Sequence, residues 1–291
     1  MKPINVLSLF DGMSAGRIAL ERAGIPVNQY YASELDKHAI KVSKTNWTDV
    51  VHIGDVTKVS YKDGVLHTEN GDFNVGSIDL VIGGSPCQSF SRAGDGTGFD
   101  GKSGLFYEFL RVLREINPKH FLLENVRMKS QWKDLISEEM GVQPVEINSS
   151  LVSAQLRKRL YWSNISIEPI NDCGVSIMDI VENFKSKTDS RLNSTLQINP
   201  SKKAGGTQPY YQDRVFHYTG KVHCLTTFGN GVWVGDYDES SWFKLSPEHH
   251  EKLQTVPVGY TSSVADSQRY KMLGNGWTVD IIAHILKGIK E

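Results

Sequence analysis

Short apolar runs alternate with stretches of helical spacing through the first half of the chain. The pattern predicts strands joined by helices in a parallel sheet. Residues 4–10 read as a buried strand, and 15–24 as a helix ended by Gly24-Ile25-Pro26. A second strand is expected over 29–34, a helix over about 36–44 and a short third strand over 50–54. Residues 64–75 read as an inserted hairpin with Asn70-Gly71 as its tight turn. The fourth strand covers 78–83. Leu105, Phe109, Val112, Leu113 and Ile116 then mark one face of a helix over 104–116. The fifth strand covers 119–124. After about residue 165 the pattern weakens, and it returns as helices over 247–253 and 278–290.

Composition narrows the class. With 291 residues, 39% apolar and 22% charged, the chain can bury a full α/β core. A net charge of −1 gives no global pull toward a polyanion, so such a partner must be held by a local patch. Residues 185–221 supply one candidate, with seven Lys or Arg against two Asp, among them Lys185, Lys187, Lys202, Lys203 and Arg214. That segment reads either as a solvated excursion or as a small recognition element. Cys87, Cys173 and Cys224 are far apart and odd in number, which offers neither a disulfide framework nor a zinc spacing and fits a reducing compartment. No signal-peptide pattern or membrane-length apolar run is read, so no membrane partner and no metal are expected.

The candidate chemistry gathers at strand ends, where ligands collect in open α/β sheets. The first strand runs into Phe10-Asp11-Gly12-Met13-Ser14-Ala15-Gly16, a turn that lets backbone approach a ligand at a helix N-terminus. Glu34 ends the second strand, where a carboxylate can accept both ribose hydroxyls, and Asp55 follows the third, where it can accept from an adenine amino group. Together they describe an adenosine cleft. The fourth strand ends in Gly83-Gly84-Ser85-Pro86-Cys87-Gln88, a shaped turn that presents a thiol near solvent. Glu124 leaves an apolar strand and is a candidate proton donor. In an extended strand Gln155, Arg157 and Arg159 share one face and form a cationic row. Five glycines within residues 89–104 read as a surface loop or as a mobile loop beside the thiol.

Taken in order, these elements resemble the cytosine-5 DNA methyltransferase family over nearly the full length. The resemblance rests on Phe10-Asp11-Gly12 with Gly16, Glu34, Asp55, Pro86-Cys87-Gln88, Glu124-Asn125-Val126, Gln155-x-Arg157-x-Arg159 and Gly274-Asn275-Gly276-Trp277. The short recognition region and Ser85-Pro86-Cys87 look most similar to the animal de novo branch and to compact bacterial or phage enzymes. The resemblance implies a class I S-adenosylmethionine-dependent methyltransferase fold. This is a Rossmann-like, mostly parallel seven-stranded sheet with an antiparallel edge strand near 155–164 and a small target recognition domain. It implies a catalytic domain over 1–165 and 221–291, with recognition over 166–220.

The implied reaction moves a methyl group from S-adenosyl-L-methionine to carbon 5 of a flipped cytosine in double-stranded DNA. By resemblance, Cys87 is the nucleophile on carbon 6, Glu124 holds a proton at ring nitrogen 3, Arg159 meets the base carbonyl and Arg157 supports the Cys87 loop and a nearby phosphate. Phe10, Asp11, Gly12, Met13, Ser14, Gly16, Glu34, Asp55, Val56, Pro86, Leu105, Asn275 and Trp277 would surround the donor. Gln88, Ser89, Arg92, Lys202 and Lys203 would meet DNA. RNA methylation is the nearest rival, although the Cys-Phe-Thr element of that branch is absent here. A catalytically silent binding paralogue is the second. An intracellular setting is expected, in a bacterial cytoplasm ahead of a eukaryotic nucleus. Target motif, restriction partner and oligomeric state, monomer or homodimer, stay open.

Overall fold

The computed structural model describes residues 1–86, 104–181, 194–199, 213–227 and 231–289. The strands in chain order are β1 Ile4–Leu9, β2 Val27–Ser33, β3 Val50–His52, β4 Ser60–Lys62, β5 Val65–Thr68, β6 Gly71–Asn74, β7 Leu80–Gly83, β8 His120–Val126, β9 Val145–Asn148, β10 Gln155–Leu156, β11 Lys158–Ser163, β12 Val215–His217, β13 Val222–His223, β14 Trp233–Gly235 and β15 Phe243–Lys244. The helices are α1 Ala15–Ala23, α2 Lys37–Asn46, α3 Leu105–Ile116, α4 Ser130–Met140, α5 Ile177–Ile180, α6 Pro247–Leu253, α7 Asp266–Asn275 and α8 Val279–Leu286. None is long and apolar enough to cross a membrane.

The described residues form two compact units. The first is built from Met1–Ile147, Lys158–Glu168 and the chain from Ile282 onward. It holds the seven-stranded sheet, in the order β3-β2-β1-β7-β8-β11-β9. β3, β2, β1, β7 and β8 run parallel, and β11 pairs antiparallel with β8. The strand order reverses between β1 and β7, and the cleft of such a sheet opens outside the carboxyl ends at that point. One face packs Leu7, Leu9, Val81 and Leu123 against Phe106, Phe109, Val112 and Leu113 of α3 and Ile136 and Met140 of α4, all buried. The apolar spacing read in 104–116 therefore marks the stripe that covers the sheet.

Two expectations change. The antiparallel strand is not at the sheet edge, because β9 lies outside it. The hairpin turn is Glu69-Asn70 and not Asn70-Gly71, since Thr68 pairs with Gly71. Neither Glu69 nor Asn70 takes a positive φ, and Gly71 at φ 127° absorbs the twist one residue later. β4 extends the hairpin to three strands.

The second unit comprises Asn148–Arg157 and Pro169–Ile281. Its core joins Ala154, Ile177, Phe216, Val222, Val234, Leu245 and Leu253. Lys221 belongs to this interior. Its ammonium donates to the carbonyls of Ser150 (2.8 Å), Ser153 (3.1 Å) and Val175 (2.6 Å), and burial lowers its pKa. It is thus withdrawn from the cationic surface surplus read over 185–221.

Candidate functional site

In the first unit, the loop from β1 into α1 is a tight backbone turn. Phe10, Gly12 and Ser14 take φ of 57°, 61° and 63°. Met13, Ser14 and Gly16 are buried, whereas Phe10 and Gly12 are half-buried and are what this loop offers a ligand. Asp11 faces inward. Its carboxyl accepts from Ser14 Oγ at 2.6 Å and from Tyr30 Oη at 2.7 Å. Burial pushes its pKa up to about 6, against the hydrogen bonds from Ser14 and Tyr30 and with a smaller push from the charge of Glu34.

This shift has a sign. Asp11 keeps its proton to higher pH in the folded than in the unfolded chain. The stability it contributes is therefore complete below pH 3.8 and is lost as pH rises through about 6. The difference amounts to about 3 kcal/mol. Asp11→Asn is expected to flatten the urea-unfolding stability between pH 4 and 6. Equal pH slopes for the two proteins would reject the buried-acid assignment.

Glu34 is fixed by backbone. One carboxylate oxygen accepts from Gly12 N at 2.7 Å, the other from Leu35 N and Asp36 N, both at 2.8 Å. The bond to Gly12 ties the end of β2 to the β1 loop. Leu35, 66% exposed, is absent from the residues the sequence pattern marks, and its one signal there is a large apolar side chain directly after a strand-end acid. Asp55 uses Oδ1 to accept from Thr57 N at 2.9 Å, and Val56 beside it is buried. A carboxylate held through both oxygens, an exposed leucine next to it in the chain and a second carboxylate one strand over are groups that could meet the ribose, face and amino edge of an adenosine group.

The carboxyl ends of β7 and β8 form the other half of this edge. Asn125, 1% exposed, donates through Nδ2 to Ser85 Oγ (3.1 Å) and Ser85 O (3.3 Å), which pins the Ser85-Pro86 turn to β8. In the sequence Asn125 stands out only within Glu124-Asn125-Val126, and its structural task is to hold this turn. Glu124 is ion-paired with Arg159, Oε1 to Nε at 3.0 Å, with both side chains largely buried. The antiparallel register sets this pair, since Tyr161 lies opposite Glu124 and Arg159 opposite Val126. Leu105 opens α3, half-buried. Cys87, Gln88, Ser89, Arg92, Lys185, Lys187, Lys202 and Lys203 lie outside the described residues.

The cationic row is corrected. The chain breaks at Arg157 between β10 and β11, because Arg157 N donates to Asn148 Oδ1 (2.9 Å) and its carbonyl accepts from Ser149 N (2.9 Å). Gln155 and Arg157 fall in the second unit and are buried, while Arg159 falls in the first. Gln155 donates to Leu253 O (2.6 Å) and Gln254 Oε1 (2.9 Å). The Arg157 guanidinium donates to Gly274 O (3.2 Å), Gly276 O (2.8 Å) and Cys224 Sγ (3.3 Å). At 3% exposure it braces the turn that presents exposed Asn275 and half-buried Trp277. Arg214 is half-buried. Among the described residues no acid, His and Cys cluster could hold a metal.

Comparison with known proteins agrees with the fold. The sequence model for C-5 cytosine-specific DNA methylase matches residues 4–199. The type II methyltransferase M1.ScrFI of Lactococcus lactis subsp. cremoris is 28% identical, over 98% of this chain and 78% of its own. The orphan methyltransferase M.Rho11sI of Bacillus phage rho11s is 36% identical over 48% of this chain and 25% of its own. Among solved structures, a putative DNA modification methyltransferase encoded within an E. coli prophage superposes with a TM-score of 0.70 at 19% identity, covering 98% of each chain. The S. pombe Dnmt2 methyltransferase gives a TM-score of 0.65 at 17% identity, covering 97% of each.

Proposed function

The chain belongs to the C-5 cytosine-specific DNA methylase family, and from that premise we propose how its residues divide the work. Membership implies S-adenosyl-L-methionine as methyl donor. When bound, the donor supplies an electrophilic methyl group. We assign its ribose to Glu34, its adenine amino group to Asp55 and its adenine faces to Leu35, Phe10 and Val56. The β1–α1 loop, Pro86, Leu105, Asn275 and Trp277 complete the set.

The observation that carries the catalytic half is the Glu124–Arg159 pair beside the Asn125-pinned Ser85-Pro86 turn. Carbon 5 of cytosine is a weak nucleophile hidden in the duplex, so the base is flipped out before reaction. Cys87, as thiolate, adds to carbon 6 and makes carbon 5 electron-rich. Glu124 holds a proton at ring nitrogen 3 and accepts from the exocyclic amino group, while Arg159 donates to the base carbonyl. After carbon 5 is methylated it loses its proton, and the thiolate of Cys87 leaves. Residues 1–165 and 221–291 are assigned to catalysis and 166–220 to target recognition. Within the latter, Lys202 and Lys203 are assigned to duplex DNA, as are Gln88, Ser89 and Arg92 near the nucleophile.

Transfer of labelled methyl from S-adenosyl-L-methionine to duplex DNA, with transfer RNA as the competing substrate, tests the assignment. Label is expected in DNA as 5-methylcytosine. Label only in transfer RNA would support the rival reading, and label in neither would support a silent paralogue. The donor contacts have their own test. Glu34→Ala and Asp55→Ala should each weaken donor binding by about 1–3 kcal/mol, as for a lost hydrogen bond to a charged group. Unchanged affinity by titration calorimetry in both variants would mean that the adenosine cleft lies elsewhere.

A further inference from the structure

The hairpin of β5 and β6 has no part in the assignments above, yet its turn reaches the end of β3. Glu69 Oε1 accepts from Asp55 N at 2.7 Å, and Asn70 Nδ2 donates to His52 O at 3.1 Å. The two turn residues thus hold the backbone on both sides of Ile53-Gly54. Gly54 has φ +80°, and a Cβ there would collide with the Glu69 carboxylate. The carboxylate lies directly against the Gly54 Cα, in space that only glycine leaves free.

The hairpin is anchored well enough to act as a brace. Leu66 is fully buried in the sheet core, and the Phe73 ring packs on Tyr31 of β2 at 5.5 Å. Tyr61 donates from its amide to Glu115 Oε2 (3.0 Å) and from its hydroxyl to Gly76 O (2.6 Å). α3 closes the other side. Arg111 donates to Glu115 Oε1 at 2.8 Å and to Val56 O at 3.3 Å. Asp55 and Val56 are therefore gripped at the amide of one by Glu69 and at the carbonyl of the other by Arg111. Asp55 itself is half-buried, and its carboxylate accepts from Thr57 N through Oδ1.

We propose that Glu69 is a positioning residue of the donor site, holding the Gly54-Asp55-Val56 turn in the shape that presents Asp55 to the adenine of the donor. The proposal rests on the donor-site reading given above. Glu69 is exposed, so its replacement leaves the core intact. Its work is to accept one amide hydrogen, which a glutamine oxygen also does and an alanine does not. Negative charge is then not the requirement, and the two variants separate.

The test titrates S-adenosylhomocysteine into wild type, Glu69→Ala, Glu69→Gln and, as a reference, Glu34→Ala. Donor KM and kcat are measured on duplex DNA in parallel. Glu69→Ala should raise the Kd and the donor KM about fivefold, as for one lost hydrogen bond, with kcat at saturating donor unchanged. Glu69→Gln should stay within about twofold of wild type, because it restores the acceptor. If Glu34→Ala weakens binding while Glu69→Ala does not, the hairpin has no positioning role and the donor site stands. A loss confined to kcat, or a glutamine variant as weak as the alanine one, would equally overturn the proposal. If S-adenosylhomocysteine fails to bind wild type, the donor-site reading falls and this proposal falls with it.

Discussion

Cys87→Ser is expected to stop methyl transfer to duplex DNA, with a fall in kcat of more than about a thousandfold, while donor and DNA still bind. Serine is nearly isosteric with cysteine, so the loop and the base pocket keep their shape. The hydroxyl is too weakly acidic to add to carbon 6 without a dedicated base, whereas a thiol reaches its nucleophilic form near neutral pH. The turn that leads toward residue 87 is held by Asn125 through Ser85. The substitution therefore removes chemistry and leaves architecture. Single-turnover methylation, with DNA binding measured by fluorescence anisotropy, separates the two. Substantial turnover by the serine variant would remove Cys87 from the reaction.

Glu124→Gln should lower kcat by about 10²- to 10⁴-fold, the range for loss of a positioned proton-transfer group. Glutamine keeps the size and one acceptor, but it cannot pass a proton to ring nitrogen 3. It also leaves the Arg159 guanidinium, 3.0 Å from the present carboxylate, without its counter-charge. Donor affinity should stay unchanged, because none of the groups assigned to the donor lies on β8. Donor KM and kcat from the same progress curves check this. A variant whose loss lies in donor affinity would move Glu124 into the donor site.

Much of the first unit was legible in the sequence because its signals are local. Strand-end acids such as Glu34 and Asp55 follow apolar runs, and a helix whose apolar face repeats as in 105–116 has one way to lie on a sheet. What escaped reading depends on partners distant in sequence. The alternation from Gln155 to Arg159 looks like one strand, yet Asn148 takes the amide of Arg157 and ends it there. Arg157 reads as a surface cation until Gly274 and Gly276 appear at its guanidinium. Lys221 likewise counts as surface charge until three carbonyls close around it. β9 has too few buried positions to announce itself as the sheet edge. The turn of the hairpin was misplaced by one residue because Asn-Gly is a strong local signal, whereas pairing of Thr68 with Gly71 decided it.

The covalent role of Cys87 is tested most directly by trapping. In a duplex carrying 5-fluorocytosine, the methylated adduct has no carbon 5 proton to lose, so the thiolate cannot leave. With S-adenosyl-L-methionine present, intact-protein mass spectrometry should show one oligonucleotide bound covalently per chain. Peptide mapping should locate it on Cys87, with Cys173 and Cys224 unmodified. Absence of an adduct under conditions where ordinary duplex is methylated, or an adduct on either other cysteine, would contradict the account.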